Sequence, residues 1–316
     1  MAGDCLVAMY HYVRDTERTP FPALRALAIR DFEAQLDWIG AHHAVVSYET
    51  FERHVVERRP FEGTAALLTF DDGLVDHYVD VWPRLAARGW RGVFFVAGAS
   101  CADRPSVLNV HKTHFLIATL GAAAFADSVR EAVAALPVEE GGGLAWRREV
   151  YRYDDDDAQV ATKHLLNYEL PYPTVDRLLR DLFAVHLGDE TDFARALYLQ
   201  PAMIREMARA GMTFGFHTEH HRVLARLTRA QQEVELADGV RRVQALAGKG
   251  PVPFCYPYGH THTYTAETVS ELGACGYPSA FTTLRRRAQP DTDSLFEIPR
   301  LDTRDLPPFE EAPARA

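Results

Sequence analysis

No apolar stretch in this chain approaches the ~20 residues that a membrane span requires, and no excess of positive charge marks a nucleic-acid surface. The 34 basic residues are outnumbered by 44 acidic ones, a formal net charge of −10. That balance argues against polyanionic partners and against insertion at anionic bilayers. Cysteine is sparse: Cys5, Cys101, Cys255 and Cys275 show no close paired spacing. Free thiols are therefore expected rather than a disulfide framework or a zinc cluster. A secretory leader is not expected either. Met1-Ala2-Gly3-Asp4 carries no basic stretch, and the apolar run after it is broken by Tyr10-His11-Tyr12 and Arg14. The expectation is a cytoplasmic protein. Internal repeats are also lacking.

What is there reads as an ordinary soluble globular composition. The 316 residues are 47% hydrophobic and 25% charged, enough to bury a large core. Short apolar runs predict strands at Cys5–Tyr10, Ala44–Ser47, Ala65–Phe70, Gly92–Ala97, Met212–Phe216, Val252–Tyr256, Ser279–Thr283 and Phe296–Pro299. Amphipathic patterns between them predict helices at Asp31–His42, Tyr48–Glu57, Leu74–Arg88, Pro201–Ala210, Arg229–Ala247 and Tyr264–Leu272, with Ser47, Asp72 and Thr228 as caps. Alternation of this kind predicts an α/β fold: a distorted (β/α) barrel of about seven to eight mostly parallel strands. From about Cys101 to Leu199 the alternation stops and the pattern turns helical. The expected division is a barrel from residues 1–100 and 200–316, with 101–199 a mainly helical insertion that covers the cleft. A glycine run at 141–143 and an acid run at Asp154–Asp157 read as loop, leading into a helix at Ala158–Tyr168.

Chemistry concentrates where apolar runs end. Thr69-Phe70-Asp71-Asp72-Gly73 sets two carboxylates at the end of a strand. Adjacent half-buried carboxylates repel each other, so one is expected to hold a cation and the other to handle a proton; the alternative is a plain Asp-Gly turn. His217-Thr218-Glu219-His220-His221 follows another run, and on a helical turn His217 and His221 would face one ion while His220 pointed away. With Asp72 they make two nitrogens and a carboxylate, the composition of a hydrolytic metal centre. Phe254-Cys255-Tyr256-Pro257-Tyr258-Gly259 ends a third run in a tight turn able to aim a backbone N–H. Tyr10-His11 ends the first. In a parallel barrel all these positions gather at the carboxyl-end face.

Together the three blocks resemble the polysaccharide deacetylase family, the NodB-homology group of carbohydrate esterase family 4, over Leu6–Ala97 and Tyr198–Thr303. The resemblance implies Asp71 as catalytic base, Asp72, His217 and His221 as metal ligands, and the backbone N–H of Tyr258 as oxyanion donor. Two departures stand out. Cys255 occupies the position of an arginine found in many members, and no histidine follows His262 to match a late Leu-x-His block. Members that resemble exopolysaccharide poly-N-acetylglucosamine deacetylases carry that histidine on the first strand, which makes His11 the expected general acid. Arg300, at the end of the last predicted strand, is the candidate to pair with Asp71 in place of the missing arginine. His111, His114, His260 and His262 are left as cleft residues, because no motif sets a carboxylate beside them.

The expected activity is metal-dependent hydrolysis of an acetamide on a small N-acetylated amino sugar, nucleotide-linked, lipid-linked or part of a glycosylated metabolite, releasing acetate. One divalent ion is expected, zinc first, with cobalt, nickel and iron also suited to the donor set. The rival readings are an amidase or deformylase acting on another amide, and a catalytically inactive carbohydrate-binding barrel. A lyase is disfavoured, since no lysine falls at the motif positions and Lys112 and Lys163 both lie in the insertion.

Overall fold

The computed structural model describes residues 3–135 and 157–309. Eight strands form one sheet: β1 (Cys5–Tyr10), β2 (Ala44–Val45), β3 (Ala65–Phe70), β4 (Gly92–Val96), β5 (Thr213–Phe216), β6 (Phe254–Cys255), β7 (Ala280–Phe281) and β8 (Leu301–Asp302). Their order is β7-β6-β5-β4-β3-β1-β8, and every pairing is parallel. Because β1 runs along one whole edge of β3, β2 and β4 share the other; β2 pairs with Ala65 and Ala66, and β4 begins opposite Leu68.

Both faces of the long strands are buried, as a barrel demands. Val7, Leu67, Val93, Phe95, Cys255 and Phe281 meet in one cluster, closed at the amino end by Tyr48, Phe51 and Val55 of α2 (Tyr48–Val56). The alternate residues, including Leu6, Ala8, Leu68, Phe70 and Phe94, pack outward. They meet α1 (Ile29–His42), α9 (Pro201–Arg209), α11 (Gly239–Ala247) and α12 (Ala266–Ala274). Period-two strands feeding two buried layers are the (β/α) barrel pattern that the apolar runs predicted.

The barrel closes irregularly. The last strand is Leu301–Asp302, paired to β1, rather than the predicted Phe296–Pro299. Ile298 makes only an isolated parallel bridge to Phe281. Pro299 has no N–H to continue a ladder, so the chain changes partner from β7 to β1 across it, and Arg300 lies at that changeover.

Three helices also differ from expectation. The segment predicted at Leu74–Arg88 starts as a π-helical turn at His77–Val81 and continues as α3 (Trp82–Ala87), with no cap from Asp72. The long Arg229–Ala247 prediction divides into α10 (Arg229–Leu236) and α11. Gly239 opens the second, and a Cβ there would lie 2.1 Å from the Tyr277 hydroxyl and 2.2 Å from the Phe216 ring. The predicted Ala158–Tyr168 helix is α6 (Asp157–His164) followed by a π-helical turn at Leu165–Glu169. Ser47 and Thr228 cap their helices as expected, and Thr265 caps α12.

Between β4 and α9 the described residues contain no named strand. They form α4 (Asn109–Leu120), α5 (Ala122–Ala134), α6, α7 (Tyr172–Leu187) and α8 (Glu190–Leu197). Leu116, Phe125, Val129, Leu166, Val175 and Leu179 give these helices a core of their own. A second cluster joins Phe115, Leu197 and Tyr198 to Tyr12, Leu74 and Ala97 at the carboxyl end of the barrel. The glycine run and Asp154–Asp156 of the acid run lie outside the described residues; Asp157 opens α6. Among the described residues no helix is long and apolar enough to cross a membrane.

Candidate active site

The turns that follow β1, β3, β5 and β6 converge on one cavity of about 310 Å³. His11, Asp71, Asp72, His217, His221 and Tyr258 all line it. Four of the five non-glycine residues with positive φ among the described residues belong to these turns: Asp72 (75°), Thr218 (63°), His221 (58°) and Tyr258 (63°). Side chains resist that region, and residues held there cluster where function dictates the direction of a group.

Each turn has a local cause. Asp71 extends the β3 ladder by donating its N–H to the Tyr10 carbonyl at 2.9 Å. Gly73 follows at φ 63°, where a Cβ would lie 2.9 Å from Val96. The chain therefore reverses tightly, and both carboxylates stay buried. The His217–His221 segment is an irregular turn, not the expected helical one. Positive φ at Thr218 and His221 curls it, and Thr218 Oγ1 accepts from the His221 N–H at 2.9 Å. The two imidazoles still meet, with centroids 4.7 Å apart. His220 turns away to Glu235, 2.8 Å from its Nδ1.

Asp72, His217 and His221 bring one donor atom each within 4.8 Å of one another. The Nε2 atoms of His217 and His221 both lie 3.5 Å from Asp72 Oδ1. That oxygen is buried with no hydrogen-bond partner, an arrangement costly without a cation. His217 Nδ1 donates to the Cys255 carbonyl at 2.7 Å, which leaves the Nε2 lone pair facing Asp72. Burial pushes the His217 imidazole down, and burial with His217 alongside pushes His221 to about 3. Burial opposes the charge of Asp72, but the surrounding imidazoles, His111 first, outweigh it and hold the carboxyl well below the usual range. Neutral imidazoles and an ionised carboxylate are the states a metal needs, so the donor set fits a divalent ion.

Asp71 faces a different partner. Arg300 is 1% exposed and grips it with two bonds, 2.8 Å to Oδ1 and 2.7 Å to Oδ2. The guanidinium is itself held by the Thr282 carbonyl at 2.9 Å and by Thr69 Oγ1 at 3.1 Å. Cys255, at the position where the resemblance leads one to expect an arginine, touches both: its thiol donates to Asp71 Oδ2 at 3.5 Å and accepts from Arg300 at 3.0 Å. Burial would raise the Asp71 carboxyl, but Arg300 outweighs it and holds the group at about 2. Asp71, His217 and Cys255 also bring donor atoms together. They make a poor cation seat, because Arg300 occupies both Asp71 oxygens and burial pushes the thiol well up.

His11 stands across the cavity, its side chain 39% exposed and its Nε2 3.8 Å from Asp71 Oδ2. Its backbone is fixed from β3's far side: His77 donates to the His11 carbonyl at 3.2 Å, and Asp76 accepts from the Val13 N–H at 3.2 Å. The Tyr258 turn is locked by Thr283, whose Oγ1 donates to the Tyr258 carbonyl at 2.8 Å. The Tyr258 hydroxyl donates to Asn167 at 3.1 Å.

His111 was set aside as a cleft residue, and here it does more. It is fully buried, with Nε2 3.0 Å from Asp72 Oδ2 and Nδ1 2.6 Å from the Tyr198 hydroxyl. A signal existed in the sequence: His111 lies three residues after Leu108 and four before Phe115, on the apolar face of its helix. His114, His260 and Lys163 line the cavity, as do Val110, Thr113 and Asn167.

A parallel α/β barrel with a carboxylate–imidazole cluster beside an arginine-clamped carboxylate, at the carboxyl end of its strands, has the groups to seat a cation and to handle a proton. Known proteins are similar to this chain in part of the sequence and in fold. The family model described as Polysaccharide deacetylase matches residues 179–278. YxkH of Bacillus subtilis (strain 168), assigned to the polysaccharide deacetylases, is 26% identical over 100 residues, which is 31% of this chain and a third (33%) of that protein. Among solved structures, the Streptococcus pyogenes deacetylase PplD in complex with acetate superposes with a TM-score of 0.59 at 16% identity, covering 96% of this chain and 93% of that one. IcaB from Ammonifex degensii gives 0.56 at 18% over 95% and 92%. The BpsB deacetylase domain from Bordetella bronchiseptica gives 0.54 at 18% over 95% and 96%. At such identities the structural likenesses are likenesses of fold. Residues 179–278 thus resemble the polysaccharide deacetylase family, and the fold is one that solved deacetylases share.

Proposed function

We propose that this chain is a metal-dependent N-deacetylase that hydrolyses the acetamide of an N-acetylated amino sugar to a free amine and acetate. The observation that carries the reading is the shared cavity: an orphaned Asp72 oxygen faces two neutral imidazoles, and an ionised carboxylate and a histidine stand beside them. Asp72, His217 and His221 hold one divalent ion, zinc by preference for this donor set. When bound, that ion supplies Lewis acidity, polarising a carbonyl and making water a better nucleophile near neutrality.

Asp71 is the base. Ionised and clamped by Arg300, it accepts the proton of the attacking water. The Tyr258 backbone N–H donates to the carbonyl oxygen as negative charge develops, a contribution worth ~3 kcal/mol in comparable sites. His11, beside Asp71 and reached by solvent, gives a proton to the departing nitrogen so that an amine, not an amide anion, leaves.

The roof of the cavity supports a small substrate. Val110, Thr113, His114, Lys163 and Asn167, all from the helical segment 101–199, line the cavity. Its volume, about 310 Å³, lies at the small end for ligand sites. We read the segment as a lid over a short N-acetylated sugar or sugar conjugate.

The test is acetate release from a panel of N-acetylated sugars, free and nucleotide-linked, before and after chelation, with Asp72→Asn alongside. Chelation and the substitution should each abolish release, and added zinc should restore only the native chain. Release that survives both would overturn the reading, and formate released from matching N-formylated sugars with no acetate from the N-acetylated set would redirect it to a deformylase.

A further inference from the structure

We infer that His111 is a positioning residue for Asp72, and that the helical segment thereby builds the metal seat as well as covering it. This rests on the metal seat proposed above.

The hydrogen-bond directions leave one consistent assignment. The Leu108 backbone N–H can only donate, and it gives its proton to the Tyr198 hydroxyl oxygen at 3.0 Å. The phenol has one proton of its own, and His111 Nδ1, 2.6 Å away, is there to receive it. An occupied Nδ1 lone pair puts the imidazole proton on Nε2. That proton points at Asp72 Oδ2, 3.0 Å distant. The reverse tautomer would set two lone pairs face to face there and strand the phenol proton in a fully buried site.

The two oxygens of Asp72 are thus divided. Oδ2 is anchored by His111, while Oδ1 has no partner and faces the two other imidazoles. A carboxylate on a backbone strained to φ 75° is fixed in rotation, with a single oxygen offered to the ion. His111 is not a further ligand, because its Nε2 proton is committed to Asp72. Both ends of the helical segment take part. Leu108 and His111 stand at its start and Tyr198 at its end, where Leu199 donates to the Gly73 carbonyl at 2.8 Å beside Asp72. Partners of this kind hold the orientation and basicity of a metal ligand, and losing one typically costs about 10- to 100-fold in metal affinity.

The experiment titrates Co(II) into metal-free full-length protein, reading the visible d–d bands and competing with a chelator of known affinity. Thermal unfolding of each metal-free variant runs in parallel. His111→Leu should weaken Co(II) by about 10- to 100-fold, and His111→Gln, which keeps an N–H aimed at Oδ2, should recover most of that loss. Tyr198→Phe should show a smaller loss in the same direction, and it carries the test if the leucine variant does not fold. Band positions should be the same throughout. Wild-type affinity in folded His111→Leu or in Tyr198→Phe overturns the inference alone, as does a glutamine variant no better than leucine. Band changes that report a lost ligand would overturn it by making His111 a direct ligand. A wild-type chain that takes up no Co(II) overturns this inference and the metal-dependent reading together.

Discussion

A carboxylate sealed from water survives as an anion only where a partner outweighs the loss of solvent, and at Asp71 that partner is Arg300. The sign of the linkage is clear. Its folded value of about 2, against an ordinary 3.8, makes the pair stabilising above the ordinary value, and that contribution disappears as pH falls through about 2. Arg300→Met removes the guanidinium and leaves an unpaired buried charge, a change that typically costs about 3–5 kcal/mol. With burial unopposed, the carboxyl rises, so the acid limb of the pH–rate profile should move to higher pH while stability at neutral pH falls. Chemical denaturation and a pH–rate series check the two effects, and an acid limb that stays put would remove Asp71 from the role of base. In sequence the pair is separated by more than two hundred residues. Position at a strand end suggested Arg300, but only the partner change at Pro299 shows why so polar a side chain turns inward. His111 was harder to read, because Asp72 comes to it through the docking of a helical segment that periodicity cannot orient.

At the scale of elements, apolar runs made the strands legible, and His11, Asp71, Asp72, His217, His221 and Tyr258 at their carboxyl ends line one cavity. What spacing could not reveal was the backbone of the turns. His217 and His221 are four apart, which suggests a helix, yet left-handed residues at Thr218 and His221 bring the rings together by another route. Two aromatic side chains leave no room for a Cβ at Gly239, where the second of the two helices opens, a contact that no local pattern announces. The Tyr258 turn offers the sharpest test of this backbone. Gly259 has φ 64°, and a Cβ there would sit 2.7 Å from the Thr283 backbone nitrogen, which cannot swing aside as a side-chain tip would. Gly259→Ala should cost about 1–3 kcal/mol. Displacing the Tyr258 N–H by even an ångström should lower kcat by about 100-fold. Urea midpoints and turnover on the same preparations check both, and a stable variant with undiminished kcat would argue against this turn as an oxyanion donor.

At the scale of the molecule, the cavity belongs to two parts of the chain at once. Its floor is the carboxyl end of the barrel, and its far wall comes from α4, α6 and the turn after α6. The hydrogen bond from the Tyr258 hydroxyl to Asn167 ties that wall to the Tyr258 turn, and the Tyr168 ring lies tilted against the same tyrosine, 6.3 Å between centroids. If the helical segment is the lid proposed above, a polymer chain would have to leave the cleft on both sides of its reacting residue, past these contacts, whereas a single sugar would not. Catalytic efficiency on N-acetylated sugars should therefore fall as the chain lengthens from one unit to six, mainly through KM, since the reacting groups stay in place and only access is lost. The measurement is kcat/KM across an oligomer series with the acetamide at an end and in the interior. Efficiency that climbs with length would mean that units beyond the reacting one gain contacts along an open groove, and the helical segment would then be a binding wall for a polymer rather than a lid.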